Sequence, residues 1–184
     1  MNPIYQPAED SYLMSRILKE QLPDLLKEKP DLKFLEIGVG SGIHLQTANS
    51  AGIKKENIFS SDINENSVSH CNILGFNCVY SDLFENIQGK FDLIIFNPPY
   101  LPKDSNEPED SEVATTGGIK GNEIILRFLK DAKQHLEENG RIFLITSSLS
   151  EEVNFQELGY QENELGCEKM FFESLCIWEL SVII

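Results

Sequence analysis

"KFLEIGVGSG", residues 33–42, decides the fold. Four residues, Phe34, Leu35, Glu36 and Ile37, suit a short buried strand, and Gly38, Gly40 and Gly42 then turn the chain. Glycine lets backbone approach a ligand without a Cβ in the way. A dinucleotide fingerprint, G-x-G-x-x-G, needs glycine at 43, where Ile43 stands. A purely structural glycine turn also fits the loop taken alone.

Outward from this loop the pattern alternates. Residues 8–28 have Tyr12, Leu13, Ile17, Leu18 and Leu22 at helical spacing, with a break expected near Pro23. "IHLQTANSA" reads as a helix opening at His44, "NIFSSDIN" as a strand, and "NENSVSHCNILG" as a helix capped by Gly75. "NCVYSD" and "FDLIIFN" are strands, and residues 121–138 form an apolar-faced helix from Ile124 to Leu136. "GRIFLITSS" and two runs between Tyr160 and Ile184 are further strands, in which Trp178, Phe171 and Phe172 are expected to pack. Strands alternating with helices predict an α/β fold: one doubly wound Rossmann-like domain over 1–184. Its sheet is read as seven-stranded and mostly parallel with a C-terminal antiparallel strand, residues 1–30 forming a helical cap on a core of 31–184. Such sheets bind ligands at the carboxyl ends of their strands. The 36–42 loop, Asp62, Asp82 and Asn97 each follow a strand and fall on that rim.

The loop spacing, with Glu36 two residues before Gly38, is similar to motif I of class I S-adenosylmethionine-dependent methyltransferases. A carboxylate there suits the ammonium group of that ligand better than a pyrophosphate. Asp62, 20 residues past Gly42, stands where an acid accepts hydrogen bonds from ribose hydroxyls. In the resembled family an acid at Asp82 pairs with the adenine amino group, and apolar neighbours such as Leu83 and Phe84 line the ring. Both aspartates also fit as turn or cap residues.

The apolar strand at 91–96 ends in Asn97-Pro98-Pro99-Tyr100. Proline cannot donate to a sheet ladder, and Pro98 holds Asn97 away from helical geometry. The Asn97 oxygen and the Pro98 carbonyl can take the two hydrogens of a planar NH₂ group, with the Tyr100 ring against its plane. Orienting such a weak nucleophile supplies much of the barrier reduction, and the acceptors stabilise charge developing on nitrogen.

N-P-P-Y resembles the amino-methyltransferases that act on glutamine amides, adenine N6 or guanine N2. "IYQPAEDSYLM" (4–14) and "VATTGGIKGNEII" (113–125) resemble segments of the short HemK-type glutamine methyltransferases of archaea and eukaryotes. Gln6 and the Thr115–Thr116 pair depart from that pattern. The resemblance implies a class I fold, S-adenosyl-L-methionine as cofactor, and N5-methylation of the glutamine in a Gly-Gly-Gln motif of a peptide chain release factor. It also implies that Pro7, Glu9 and Asp10 close over the cofactor, and that Gly117, Gly118 and Gly121 let the following loop bend near substrate. These also suit a helix start and an ordinary turn.

The short branch works with a small zinc-binding activator protein. A third strand at the sheet edge, with Phe76, Cys78 and Tyr80 on one side and Val79 on the other, is the expected docking edge. The other readings are an adenine-N6 or guanine-N2 methyltransferase acting on DNA or RNA, and a non-catalytic cofactor-binding scaffold.

The 184 residues carry 30 acids against 15 bases, a net charge of −15 that repels phosphate backbones. Five acids fall between Asp104 and Glu112, read as a solvated loop. No apolar run approaches the roughly 18 residues of a membrane span, and "MNPIYQPAED" lacks the features of a signal peptide. Cys71, Cys78, Cys167 and Cys176 show no metal-like grouping and are read as reduced thiols of a cytoplasmic protein. His70 and His135 are expected at the surface, and no metal ligands are assigned.

Overall fold

In a computed structural model, residues 3–103 and 115–183 are described; the acidic run Asp104–Glu112 lies outside them. Helix α1 (Glu9–Glu28) precedes β1 (Phe34–Ile37), α2 (Ile43–Ser50), β2 (Ile58–Asp62), α3 (Glu65–Ile73), β3 (Asn77–Tyr80) and β4 (Phe91–Phe96). After the short β5 (Leu101–Pro102) and β6 (Thr116–Gly118) come α4 (Glu123–Ala132), β7 (Leu136–Ser147), β8 (Tyr160–Lys169) and β9 (Ser174–Val182). The main sheet has seven strands in the order β3-β2-β1-β4-β7-β9-β8. Its first five are mutually parallel, and β9 runs antiparallel to both neighbours. This is the expected doubly wound α/β architecture, with β3 at one edge.

Alternation along the strands separates two cores. Phe34, Leu93, Ile95 and Phe143 meet Leu13, Ile17 and Leu45 of α1 and α2 on one face. Leu35, Ile94, Ile142 and Leu144 meet Phe128 and Leu129 of α4 on the other. Glu36 shares the parity of Phe34, so its carboxylate enters the α1/α2 side.

Four local expectations change. Helix α1 runs through Pro23 without ending. The lost bond and ring clash cost about 3 kcal/mol, but Leu22 and Leu25 are buried on either side, and each such side chain contributes roughly 1.5–3 kcal/mol. Helix α4 stops at Ala132 and a 3₁₀ turn follows, because Leu136 is pinned in β7 opposite Phe91. Cys167 and Cys176 are not reduced thiols: they face each other in the β8–β9 register, 4.1 Å apart at Cα, and form a disulfide. That register is invisible along the chain. Glu164 lies beside them, within 4.8 Å at its ligand atom, while Cys71 and Cys78 stay free and buried. Finally, Trp178 does pack, against Phe155 with its Nε1 donating to Thr146 Oγ1, but Phe171 and Phe172 are 95% and 85% exposed. They occupy the β8–β9 turn, where no second layer of the described residues covers them. The lone histidines expected at the surface, His70 and His135, are both half-buried, and His135 is stacked on Phe84.

Candidate active site

Five parallel strands end on one rim, and four loops converge there. Gly38, Gly40 and Gly42 have φ of +70°, +49° and +76°, the left-handed conformation that a side chain would strain. The loop is anchored from β2: the amides of Gly38 and Val39 donate to the Ser61 carbonyl, and that of Gly40 to Asp62 Oδ2 at 2.8 Å. Asp62 Oδ1 accepts from the Asn64 amide at 2.8 Å. Burial raises the Asp62 carboxyl, against the lowering by these amides. Asp62 thus braces the glycine loop it was expected to flank.

The N-terminal segment crosses this loop. A Cβ at Gly40 would lie 3.6 Å from Tyr5, and Asn64 Nδ2 donates to the Pro3 carbonyl. Asp10, buried in the first turn of α1, accepts at Oδ2 from Tyr5 Oη and from Asn97 Nδ2, each at 3.0 Å. Because a carboxylate only accepts, the Asn97 NH₂ must face Asp10. Asn97 Oδ1 is then a buried acceptor with no partner among the described residues, at the end of β4. Pro98 is buried, Pro7 and Tyr100 are half-buried, and Glu9 is exposed. Burial, then the charges of Asp10 and Glu173, push the Tyr100 phenol up, so it stays neutral.

Glycines 117, 118 and 121 do not form a loose bend. A Cβ on Gly117 would lie 2.2 Å from the Gly121 carbonyl and 2.6 Å from that of Pro99, and one on Gly121 2.5 Å from that of Tyr100. This segment packs backbone to backbone against N-P-P-Y, and β5–β6 pairing fixes it there.

Reading the sequence missed a buried pair. His44 Nδ1 lies 2.6 Å from Glu36 Oε1, and His44 Nε2 donates to the Ser11 carbonyl at 3.1 Å. Since that carbonyl can only accept, one proton is shared between Nδ1 and Oε1. Burial raises the Glu36 carboxyl; for His44 burial acts downward, but the Glu36 charge and hydrogen bond carry the net shift upward. The only signal in the chain was a histidine eight places after the strand acid Glu36, too weak to act on. Glu36 Oε2 is buried without a partner among the described residues.

Asp82 is set apart. Arg127 of α4 donates to its Oδ2 at 2.9 Å, and the two border a cavity of about 220 Å³ with His135. Leu83 and Phe84 are taken up by the α4-side core, Phe84 stacking on Phe128.

The residues on the rim fit the cofactor implied by the loop. A backbone cradle of three left-handed glycines, an anchored acid and two orphaned buried acceptors, Glu36 Oε2 and Asn97 Oδ1, converge from adjacent strands.

Known proteins resemble this chain in sequence and fold. A putative protein N5-glutamine methyltransferase of Methanocaldococcus jannaschii is 37% identical over 195 residues, covering 96% of this chain and 92% of the relative. The chain belongs to the HemK-type protein glutamine N5-methyltransferases. These are S-adenosylmethionine-dependent enzymes. Schizosaccharomyces pombe has a relative, the eRF1 methyltransferase catalytic subunit mtq2, 30% identical over 77% of this chain and 71% of its own. The broader family model described as Eco57I restriction-modification methylase matches residues 15–154. Among solved structures, the Encephalitozoon cuniculi Mtq2–Trm112 complex, responsible for methylation of the eRF1 translation termination factor, superposes with a TM-score of 0.69 at 25% identity, covering 99% of each chain.

Proposed function

We propose that this HemK-type enzyme methylates N5 of the glutamine in a Gly-Gly-Gln motif of a peptide chain release factor. The observation that carries the proposal is the Asn97 side chain, whose donor end is held by Asp10 and whose buried oxygen has no partner. S-adenosyl-L-methionine, when bound, supplies an electrophilic methyl group. Glu36, Gly38, Gly40, Gly42 and Asp62 would cradle it, Pro7, Glu9 and Asp10 would close the rim, and Asp82 would offer its second oxygen to the adenine amine. Asn97 Oδ1 accepts one hydrogen of the acceptor amide and the Pro98 carbonyl the other, so the nitrogen is aimed with its plane against Tyr100. The developing positive charge lies against these two acceptors. The phenol of Tyr100 is neutral and is no base; the proton leaves late, to solvent.

The relatives named for glutamine methylation and for eRF1 support this acceptor. Against DNA or RNA stands the net charge of −15. We read 1–184 as one methyltransferase domain, with 1–30 capping 31–184, working in the cytoplasm. The solved complex with Trm112 supports a small partner protein, which we read as a zinc-binding activator. Its docking edge would be β3, where Val79 and Tyr80 are exposed and, among the described residues, no strand pairs on the outer side.

The test is to incubate the chain, alone and with the activator, with radiolabelled S-adenosylmethionine and either release factor or nucleic acid. Label is expected on the release-factor glutamine, with higher yield in the presence of the activator. Asn97→Ala is expected to abolish turnover and leave cofactor affinity nearly intact. Transfer to nucleic acid alone would overturn the assignment.

A further inference from the structure

"EKMFFES", residues 168–174, places two phenylalanines at a hairpin tip. The turn closes without them: the Met170 amide donates to the Glu173 carbonyl at 2.7 Å, Met170 packs on the core, and Leu175 is buried. Phe171 and Phe172 stand outside, 95% and 85% exposed, their rings 5.0 Å apart and edge to face. A polar turn would close this hairpin equally well, so folding does not explain two adjacent exposed phenyl groups. Paired exposed aromatic rings are a common feature of interaction sites.

Topology puts the tip on the catalytic rim. Strand β9 starts at Ser174 and runs antiparallel to β7, with Ser147 opposite Leu175. The turn before it therefore lies beyond the carboxyl end of β7, on the same rim as the end of β4 that bears Asn97, with β7 between them. Bonds link the two. Glu173 accepts from Ser147 Oγ, the Ser148 amide donates to the Ser174 carbonyl at 2.9 Å, and Ser150 Oγ donates to the Tyr100 carbonyl at 2.6 Å. The Glu173 charge is felt by the phenols of both Tyr5 and Tyr100.

We propose that the Phe171–Phe172 tip is a docking element for the acceptor protein, gripping an apolar side chain near the methylated glutamine with basic residues around it. This rests on the function proposed above and deepens it. Two other occupants fit less well. The activator edge, β3, is five strand spacings from β9, roughly 24 Å away at about 4.8 Å per spacing. A second copy of this chain would bring together two surfaces of net charge −15. A basic acceptor protein meets the opposite condition: Glu173 adjoins the rings and Glu9 stands exposed on the same rim of a chain of net charge −15, while Glu168 is already paired with Arg16 at 2.7 Å and Lys169 is exposed beside it.

The experiment is the double substitution Phe171→Ser/Phe172→Ser in the complete chain with its activator. Three readouts are compared: KM and kcat on intact release factor, the rate on a short peptide of Gly-Gly-Gln without flanking sequence, and cofactor affinity by calorimetry. KM for the intact factor should rise about tenfold, equivalent to 1.4 kcal/mol. Melting temperature, peptide rate and cofactor affinity should not move. Unchanged KM on a factor that the wild-type enzyme methylates overturns the docking role and leaves the proposed function standing. An equal loss on the short peptide would place the rings in the site itself, and conversion of a wild-type dimer to a monomer would make the tip a self-contact; either overturns the inference. A wild-type enzyme inactive on release factor overturns both.

Discussion

Replacing Asp10 by Asn tests the orientation of Asn97 at constant volume. Asp10 Oδ2 holds two donors, Tyr5 Oη and Asn97 Nδ2, at 3.0 Å. Hydrogen bonds to a charged group contribute about 1.5–3 kcal/mol and neutral ones about 0.5–1.5, so neutralising the acceptor weakens each by roughly 1–1.5 kcal/mol. An amide at position 10 also offers both a donor and an acceptor. Asn97 can then turn its NH₂ toward the acceptor nitrogen, donor against donor. If only the Asn97 bond acts on turnover, kcat falls about tenfold; if both weakened bonds do, it falls roughly 30–150-fold, at 1.36 kcal/mol per decade. Cofactor affinity, followed by calorimetry, should change little. Tyr5→Phe is the control, since it removes the other donor and keeps the carboxylate on Asn97. A kcat within twofold of wild type in a folded Asp10→Asn enzyme would show that Asp10 does not set the Asn97 orientation.

Three further outcomes follow from the geometry. Asp62→Ala should weaken cofactor binding by on the order of 1.5–3 kcal/mol and also lower the melting temperature, because the Gly40 and Asn64 amides lose their acceptor; unchanged affinity in calorimetry would remove Asp62 from the site. Gly117→Ala places a methyl group against two backbone carbonyls and should destabilise by about 1–3 kcal/mol or more, read as a fall in urea midpoint together with lost activity; a variant with wild-type stability would contradict the close packing. The Glu36–His44 pair makes stability pH-dependent, with a definite sign. Its net His44 shift is upward, so the folded state keeps a proton that an unfolded histidine releases near pH 6.5. That contribution is full below about pH 6.5 and is lost as pH rises through the folded value, with a slope of at most about 1.4 kcal/mol per pH unit. His44→Leu alone should cost about 3–5 kcal/mol, since Glu36 is left buried without its partner, and only the double change Glu36→Gln/His44→Leu should flatten this slope between neutral and alkaline pH, because the buried Glu36 carboxyl is itself raised; an unaltered slope of the double variant in urea titrations would refute the shared proton.

The fold and the rim were legible in the sequence because both rest on local patterns. Burial on both faces makes β1 and β4 continuous apolar runs, glycine and proline must end them, and a parallel sheet brings all its carboxyl ends to one side. So Gly38, Asp62 and Asn97 could be placed together from their order alone. Their partners could not. The Asp10–Asn97 bond spans 87 positions and the Asp82–Arg127 bond 45, and no local pattern encodes which distant side chain arrives. Strand parity sent Glu36 to the α1/α2 side, but only the packing of α2 against it made His44 its proton-sharing partner rather than an ordinary helix residue. The Cys167–Cys176 bond depends on β8–β9 register, and one residue of slip would put the two thiols on opposite faces. Phe171 and Phe172 read as core by composition; their exposure depends on where the hairpin turns, which tertiary contacts at Met170 and Glu173 decide. Sequence alone determines what each strand ends with, and the assembled layers determine what each of those ends meets.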